Sequence, residues 1–347
     1  MTELVLSKYG ISKEATVTPF GSGLINNTWM VRHDEDEFIL QRINQTVFKN
    51  PFSIAENIRN IGDYLSEKHP SYLFVSPCKT SDGDELVVLN GEYFRLFPFV
   101  KNSHTTDVVV SPTQAYEAAK QFGRFTNMLA DFAVEKVNVT IPDFHNLPLR
   151  FAQFEQAIQK GNIERILESA ELCWFLKNQK ETVNTAAMLG NHDGFKKRVM
   201  HHDCKISNVL FDENDKGLCV IDLDTVMPGY FISDFGDMMR TYLSPVSEEE
   251  KDFSKIEIRE EYFRAISEGY LAEMETRLSE AEKKHMVYAG KFMIYMQALR
   301  FLTDHLNNDI YYSVKYEGQN FIRASNQVVL LEKISEKEKL LEKIVGH

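Results

Sequence analysis

His201-His202-Asp203-Cys204-Lys205-Ile206-Ser207-Asn208 is a polar stretch between two apolar runs, and a later run, Leu218-Cys219-Val220-Ile221, ends in Asp222. An asparagine thus follows Asp203 by five positions and a second aspartate follows it by nineteen. In phosphoryl transfer one carboxylate accepts the proton of the attacking hydroxyl, while an asparagine and another carboxylate hold magnesium on the nucleotide. The spacing predicts Asp203 as the catalytic base and Asn208 and Asp222 as metal ligands; a polar loop joining two core strands is the alternative.

Length and charge restrict the class of protein. A chain of 347 residues is too long for one small core, which favours two lobes. The net charge of −12 argues against nucleic-acid binding, which needs a basic surface. The four cysteines form no C-x-x-C pair, the first residues do not resemble a signal peptide, and no apolar run approaches the ~20 residues of a membrane span. We therefore expect a cytoplasmic protein with neither nucleic-acid nor membrane partners.

The predicted secondary structure divides the chain into two parts. Up to about residue 98, short β-rich runs alternate with turns, Pro51 opens one amphipathic helix, and Asn90-Gly91 predicts a tight hairpin. After that point helical periodicity dominates, apart from a β-like piece at about 198–224. The predicted fold class is α+β, with a small β-rich lobe over 1–98 and a larger, mainly helical lobe over 99–347.

The glycine-rich stretch Gly21-Ser22-Gly23 lies between two β-like runs. Glycines let backbone amides approach phosphate oxygens, so these residues predict a hairpin that covers a nucleotide; a plain turn is the alternative. On the next strand, Arg42 is a candidate cation for the phosphates, ion-paired to Glu56 on the following helix. Because strand residues alternate in direction, Gln41 could face the nucleotide instead, and Arg42 could form a surface ion pair.

The tripeptide Asp234-Phe235-Gly236 resembles a magnesium motif but lies thirty-one residues beyond Asp203. We expect Asp234 and Asp237 to accept hydrogen bonds from backbone amides and to support the catalytic loop, since buried carboxylates need partners. His201 is expected to pack and hold the same loop. A zinc site at the histidines is disfavoured, because adjacent strand residues point to opposite faces.

Arg300 and Asp304 are four residues apart on a helix and are followed by Tyr311 and Tyr312. They are either an intrahelical pair or a sugar-binding patch, in which Asp304 accepts from hydroxyls, Arg300 donates and Tyr311 stacks on the ring.

Taken together, the H-x-D-x-x-x-x-N loop, the Ile221-Asp222 strand end and the trailing Asp-Phe-Gly-Asp resemble the aminoglycoside phosphotransferase / choline kinase superfamily, which has a protein-kinase-like bilobal fold. More closely, the sequence is similar to the N-acetylhexosamine 1-kinases. The stretches that carry this second resemblance are 21–27, 40–44, 202–205, 208–212, 219–229 and 299–304.

The resemblance implies that the protein transfers the γ-phosphate of ATP, with Mg²⁺, to the anomeric hydroxyl of N-acetylglucosamine or N-acetylgalactosamine. The chain around Phe97 and Phe99 would then be the hinge whose backbone reads adenine, and Asn26 would lie on the acceptor. The partners would be ATP and a small sugar, and the protein a monomer or a homodimer.

Two departures and two rivals remain. Cys204 stands where close relatives are expected to have threonine, and the usual strand lysine is missing, which puts the role of Arg42 in doubt. The acceptor could be another small alcohol, such as choline, homoserine or an aminoglycoside, although Arg300 would oppose a cationic one. A non-catalytic, nucleotide-binding pseudokinase is the other rival, and the intact Asp203, Asn208 and Asp222 argue against it.

Overall fold

The computed structural model describes residues 2–21, 25–190, 192–312 and 314–346. Its first part is an antiparallel sheet with helices beside it. The elements are α1 Thr2–Ser7, β1 Thr16–Pro19, β2 Asn27–His33, β3 Asp36–Arg42, α2 Pro51–Lys68, β4 Val87–Leu89 and β5 Glu92–Pro98. The strand order is β1-β2-β3-β5-β4, so β5 lies directly beside β3 although α2 and β4 separate them in the chain.

The hairpin between β4 and β5 turns at Asn90 and Gly91, as the sequence predicts. Their φ angles are 53° and 78°, the left-handed values that a two-residue hairpin turn requires and that asparagine and glycine tolerate. The register places Gln41 of β3 opposite Arg95 of β5. Directly opposed residues share a face of the sheet, so these two side chains meet.

The sheet has its own apolar layer, closed by α1. Val5 and Leu6 of that short helix are buried together with Val31, Leu40 and Leu96 of the strands. Helix α2 behaves differently. Its apolar stripe, whose spacing predicts the helix, joins the large core of the second part of the chain rather than the layer beneath the sheet.

After Pro98 the chain is mainly helical, as the periodicity predicts. The helices are α3 Pro112–Met128, α4 Leu147–Lys160, α5 Ile163–Glu168, α6 Ala170–Asn178, α7 Lys180–Leu189, α8 Phe231–Tyr242, α9 Glu260–Met274, α10 Glu280–Lys283, α11 Met286–Leu306 and α12 Gln319–Ile344. Most of α11 is buried, and it lies at the centre of the helical core. No helix among the described residues is long and apolar enough to cross a membrane.

Four short strands interrupt the helices and hold the polar loops. They are β6 Arg198–Met200, β7 Val209–Phe211, β8 Gly217–Val220 and β9 Met227–Gly229. β6 pairs with β9 and β7 pairs with β8. These two ladders anchor both ends of the loop 201–208 and both ends of the segment 221–226, which brings Asp203 and Asp222 to one side of the helical part.

Candidate active site

The loop between β6 and β7 presents the carboxylate of Asp203. Asn208 Nδ2 donates to Asp203 Oδ2 and to the Asp203 carbonyl, each at 2.9 Å, and Lys205 Nζ lies 3.0 Å from the same Oδ2. Burial acts to raise the pKa of Asp203, but the Lys205 charge and the hydrogen bonds outweigh it and hold the pKa below its ordinary value. The side chain remains 28% exposed. The carboxylate is thus ionised and reachable, as a proton acceptor must be.

Helix α8 supports this loop with two buried carboxylates. Asp234 accepts the backbone N–H groups of His201 and His202 at 2.9 and 2.8 Å, and Asp237 accepts that of Cys204 at 2.7 Å. Burial raises the pKa of Asp234 to about 6, although the His201 ring and the two backbone hydrogen bonds act to lower it. Because both oxygens of Asp234 are engaged by backbone, this aspartate is a support of the loop rather than an available metal ligand.

His201 links the loop to the segment that carries Asp222. Its Nε2 lies 2.9 Å from the carbonyl of Ile221, which can only accept, so Nε2 carries the proton. The ring packs edge-on against Phe122, with centroids 5.1 Å apart. Thr225 donates its hydroxyl to the His201 carbonyl at 2.7 Å. These contacts couple the position of Asp203 to that of Asp222.

Asp222 and Asn208 are the candidate oxygen donors of the site. Asp222 has φ 60° and ψ 61°, a left-handed conformation that aspartate tolerates better than most residues. Burial, and then the nearby Asp224, raises the pKa of Asp222 to about 6, so a divalent cation here would relieve an unfavourable negative charge. The nitrogen of Asn208 is engaged by Asp203, which leaves its oxygen for coordination. One carboxylate and one amide oxygen fit Mg²⁺, which takes hard oxygen ligands and completes its shell with nucleotide and water.

A buried ion pair joins the sheet to this segment. Arg95 of β5 lies 2.5 Å from Asp224, and both side chains are 2% exposed. Arg95 also donates to Gln41 Oε1 at 2.9 and 3.1 Å, while Asn26 donates to Asp224 at 2.8 Å. Asn26, predicted on the acceptor, therefore has its amide nitrogen engaged by Asp224, and its oxygen accepts the N–H of Asn44.

The predicted ion pair between Arg42 and Glu56 is wrong. Arg42 lies 2.6 Å from Glu92 and donates to Asn27 at 2.7 Å, with 37% of its side chain exposed. Glu56 is exposed and accepts from Asn138. The reason is strand alternation: Gln41 points toward Arg95, so Arg42 on the opposite face of β3 meets the neighbouring strand ends instead.

The other predicted nucleotide residues lie around the same sheet. Gly21 has φ 77°, which favours glycine, whereas Ser22 and Gly23 fall outside the described residues. Phe99 packs edge-on against Phe20, with centroids 6.3 Å apart, so the predicted hinge touches the strand end that leads into the glycine-rich stretch. The ring of Phe97 lies 5.0 Å from the guanidinium of Arg95.

On the acceptor side, Arg300 lies among aromatic rings. Its guanidinium carbon is 5.3, 5.7 and 5.4 Å from the ring centres of Phe144, Tyr311 and Tyr312. Phe144 stacks on His145 at 4.4 Å.

The histidine of that stack connects the aromatic group to the catalytic loop. His145 Nδ1 lies 3.3 Å from Nδ1 of His202, the residue before Asp203. Burial, and then the neighbouring His202, lowers the pKa of His145, so His145 stays neutral and fits this contact. A continuous set of packed rings thus runs from the loop of Asp203 to Arg300.

Asp304, predicted to accept sugar hydroxyls, is already satisfied by the protein. Its two oxygens accept the backbone N–H groups of Tyr311 and Tyr312, each at 2.8 Å, and Asn320 donates a further bond at 3.0 Å. The side chain is 5% exposed. Asp304 therefore holds the tyrosine segment in place, and neither the intrahelical pair with Arg300 nor a free sugar acceptor describes it.

Sequence reasoning missed Arg95, His145 and Arg150. Arg95 lies on the strand that follows the Asn-Gly hairpin, but its place opposite Gln41 comes from the pairing of β3 with β5, which are distant in sequence, so no local pattern marks it. His145 and Arg150 lie on either side of the start of α4, far from every motif in sequence, and no local pattern marks them. Arg150 Nη1 donates to Gln153 at 3.0 Å and its Nη2 donates to the Asp143 carbonyl at 2.8 Å.

Comparisons with known proteins agree with this architecture. An aminoglycoside phosphotransferase from Alicyclobacillus acidocaldarius superposes with a TM-score of 0.63 at 11% identity, covering 99% of this chain and 95% of that chain. A microcompartment-associated aminopropanol kinase gives 0.58 at 14%, covering 98% of each chain. The choline kinase of Cryptosporidium parvum gives 0.58 at 14%, covering 98% and 97%.

At such low identities these likenesses show the fold alone. The sequence itself carries the family assignment, because residues 16–277, more than half of the chain, match the family described as APH, phosphotransferase enzyme family. The α+β, protein-kinase-like fold predicted from the sequence is confirmed. This chain therefore belongs to the APH phosphotransferase enzyme family and is a phosphotransferase.

Proposed function

We propose that this phosphotransferase moves the γ-phosphate of ATP to the anomeric hydroxyl of an N-acetylhexosamine. The observation that carries the proposal is the environment of Arg300, which lies among Phe144, Tyr311 and Tyr312 beside the loop of Asp203. Aromatic faces stack on sugar rings, and a guanidinium donates to ring oxygens and hydroxyls. A cationic acceptor such as choline or an aminoglycoside would be repelled there, although solved structures of similar fold include a choline kinase and a spectinomycin phosphotransferase.

In this proposal Asp203 accepts the proton of the acceptor hydroxyl as that oxygen attacks the γ-phosphorus. Asn208 keeps one carboxylate oxygen in place through the 2.9 Å hydrogen bond, and Lys205 lowers the pKa of the carboxyl, so the base is ionised at neutral pH. Asn208 and Asp222 would hold Mg²⁺, which would neutralise charge on the phosphates. His201, Asp234 and Asp237 position these groups through the loop backbone.

On the nucleotide side we propose Arg95, in place of Arg42, as the cation near the phosphates. Arg95 is buried, lies opposite Gln41 and pairs with Asp224, two residues after Asp222. Its charge also acts to lower the pKa of Asp222, which places Arg95 close to the proposed metal ligand. Phe97, Phe99 and Gly21 would surround the nucleotide base and phosphates.

The test is product identification. The protein is incubated with Mg²⁺ and ATP, and separately with N-acetylglucosamine, N-acetylgalactosamine, choline, homoserine and kanamycin, and the products are read by ³¹P NMR. Phosphate on the anomeric carbon of a hexosamine supports the proposal. Phosphate on a C6 hydroxyl, or on choline, refutes the acceptor assignment and leaves the family intact.

The Asp203→Asn variant is assayed in parallel with a matched control. Loss of a positioned base is expected to lower kcat by about 10²–10⁴-fold. Asp34→Asn is the control, because Asp34 is 86% exposed in the β2–β3 turn and its φ of 53° suits asparagine equally well. ATP turnover close to wild type in Asp203→Asn would remove Asp203 from the mechanism, and no turnover with any alcohol in the wild type would support a pseudokinase.

A further inference from the structure

We infer that the acceptor carries an anionic substituent, a carboxylate, phosphate or sulfate, and that this group binds between Arg150 and Arg300. The inference rests on the proposed function only for the sugar to which the group is attached. What identifies the anion is a cavity of about 450 Å³ beside the tyrosine segment, lined by both arginines together with Thr303, Tyr311 and Tyr312.

In the described part of the chain, the guanidinium groups of Arg150 and Arg300 donate hydrogen bonds only to neutral groups. Arg150 donates to the Gln153 side chain and to the Asp143 carbonyl. Arg300 donates to Gln297 at 3.2 Å and to the Tyr311 hydroxyl at 3.4 Å. Two positive charges therefore face one cavity, and neither has an ion-pair partner among the residues that the structure describes.

The carboxylates near this cavity are already engaged. Asp304 lines it, but its oxygens accept from two backbone N–H groups and from Asn320. Asp143, near Arg150, accepts from Asn146 at 2.8 Å. These acids reduce the local positive charge, but among the described residues neither carboxylate accepts a hydrogen bond from Arg150 or Arg300.

Two guanidinium groups that line one cavity repel each other. Burial, and then the charge of Arg300, lowers the pKa of Arg150. An oxyanion between them would offset this repulsion and offer the two planar forks two oxygens as a carboxylate, or three as a sulfate or phosphate ester. A neutral hydroxyl offers one oxygen and no charge, so it would leave the repulsion in place.

A neighbouring cavity extends the positive surface. It has a volume of about 340 Å³, shares Gln153, Thr303 and Asn307 with the first cavity, and adds Lys160. The whole chain carries a net charge of −12, so this cationic surface is a local feature and not a result of overall composition. Tyr311 and Tyr312 line the first cavity, so an anion bound there would lie beside the packed rings that lead to the loop of Asp203.

The experiment measures binding, so that it does not depend on turnover. Protein saturated with Mg²⁺ and ADP is titrated in a calorimeter with N-acetylglucosamine, its 6-sulfate, its 6-phosphate and N-acetylmuramic acid, whose anion is a carboxylate. At least one anionic sugar is expected to bind about tenfold or more tightly than the neutral sugar, a difference of about 1.4 kcal/mol. The three anions distinguish sulfate, phosphate and carboxylate.

Variants of Arg150 locate the effect. Arg150→Gln is expected to reduce the ratio of anionic to neutral affinity about tenfold, and Arg150→Lys, which keeps the charge, to retain a larger ratio. Arg32→Gln is the control, since Arg32 pairs with Glu37 on the sheet surface. A neutral sugar that binds as tightly as all three anionic sugars, or an unchanged ratio in Arg150→Gln, overturns the inference. Anomeric phosphorylation is read separately, so the proposed function can fail while the anion site stands, or the reverse.

Discussion

The ion pair between Arg95 and Asp224 offers the sharpest test of how the sheet is joined to the catalytic segment. Replacing Arg95 with methionine keeps most of the side-chain volume and removes the charge. Asp224 would then remain 2% exposed, as it is beside Arg95, with the Asn26 amide as its remaining side-chain donor. Gln41 Oε1 would lose both of the hydrogen bonds that it accepts from Arg95.

The expected loss is large because a buried charge is left without its partner. Breaking such a pair from one side destabilises a protein by about 3–5 kcal/mol. With an unfolding entropy of about 2.1 cal/mol/K per residue, this corresponds to a fall in Tm of about 4–7 °C for a chain of this length. Arg42→Met on the adjacent strand is the matched control, because its exposed pair with Glu92 contributes at most about 1 kcal/mol.

The assay is thermal and urea denaturation of the two single variants, of Asp224→Asn, and of Arg95→Met combined with Asp224→Asn. Removing both charges should recover at least about 2 kcal/mol relative to Arg95→Met, since a buried pair replaced as a unit is close to neutral. The reasoning is refuted if Arg95→Met has the same Tm as Arg42→Met. It is also refuted if the stability losses of Arg95→Met and Asp224→Asn simply add in the double variant. A rise in the KM for ATP in Arg95→Met, beyond any loss of folded protein, would further support its place near the phosphates.

Three further outcomes are expected. Asp304→Ala should both lower Tm by several degrees and weaken sugar binding. Arg300→Ala should raise the sugar KM about 10- to 150-fold and leave the ATP KM nearly unchanged. A raised sugar KM with an unchanged Tm in Asp304→Ala would show instead that Asp304 is a direct ligand of the sugar. Asp222→Ala should abolish Mg²⁺-dependent nucleotide binding measured by calorimetry, and Asp234→Ala should mainly lower Tm. If Asp234→Ala kept a normal Tm and lost its affinity for magnesium, then Asp234, and not Asp222, would be the metal ligand. Burial, and then Asp224, raises the folded pKa of Asp222 to about 6 from an ordinary 3.8, so its contribution to stability is full below pH 3.8 and is lost as the pH rises through about 6. In the absence of metal, the free energy of unfolding of Asp222→Asn should therefore rise above that of the wild type as the pH goes from 4 to 7, by about 1–3 kcal/mol. A difference that does not change with pH would contradict the raised pKa.

Local chemistry made much of the fold predictable. Asn90 and Gly91 specify a hairpin because they adopt positive φ at low energy, and Pro51 starts a helix because its missing N–H is not needed there. The apolar run before Asp222 reads as a buried strand because only such a run can be covered on both faces. Each of these signals acts within a few residues, so an isolated sequence contains it.

The catalytic loop was also readable from sequence, for a related reason. Asp203, Asn208 and Asp222 belong to one short stretch of chain, and their spacing is set by the loop and the two strands that follow it. The contacts of Asp234 with the loop backbone agree with the general requirement that buried carboxylates find donors.

The cation of the sheet and the partners of Asp304 depended on tertiary structure. The register of β3 against β5 decides that Gln41, and not Arg42, lies opposite Arg95. The cation that pairs with Asp224 is Arg95 itself, which comes from β5. Asp304 is occupied because the chain turns back after α11 and points two backbone N–H groups at it. Arg150 meets Arg300 only through the packing of α4 against α11.

The sequence by itself therefore determined the family, the division into a β-rich and a mainly helical part, and the polar loop that presents Asp203, because short-range backbone preferences and hydrophobic periodicity act along the chain. Tertiary structure decided which charged side chains are engaged and which remain available to a ligand. The pairing of a charge depends on groups that are distant in sequence and on the water excluded between them, and neither is contained in a local pattern.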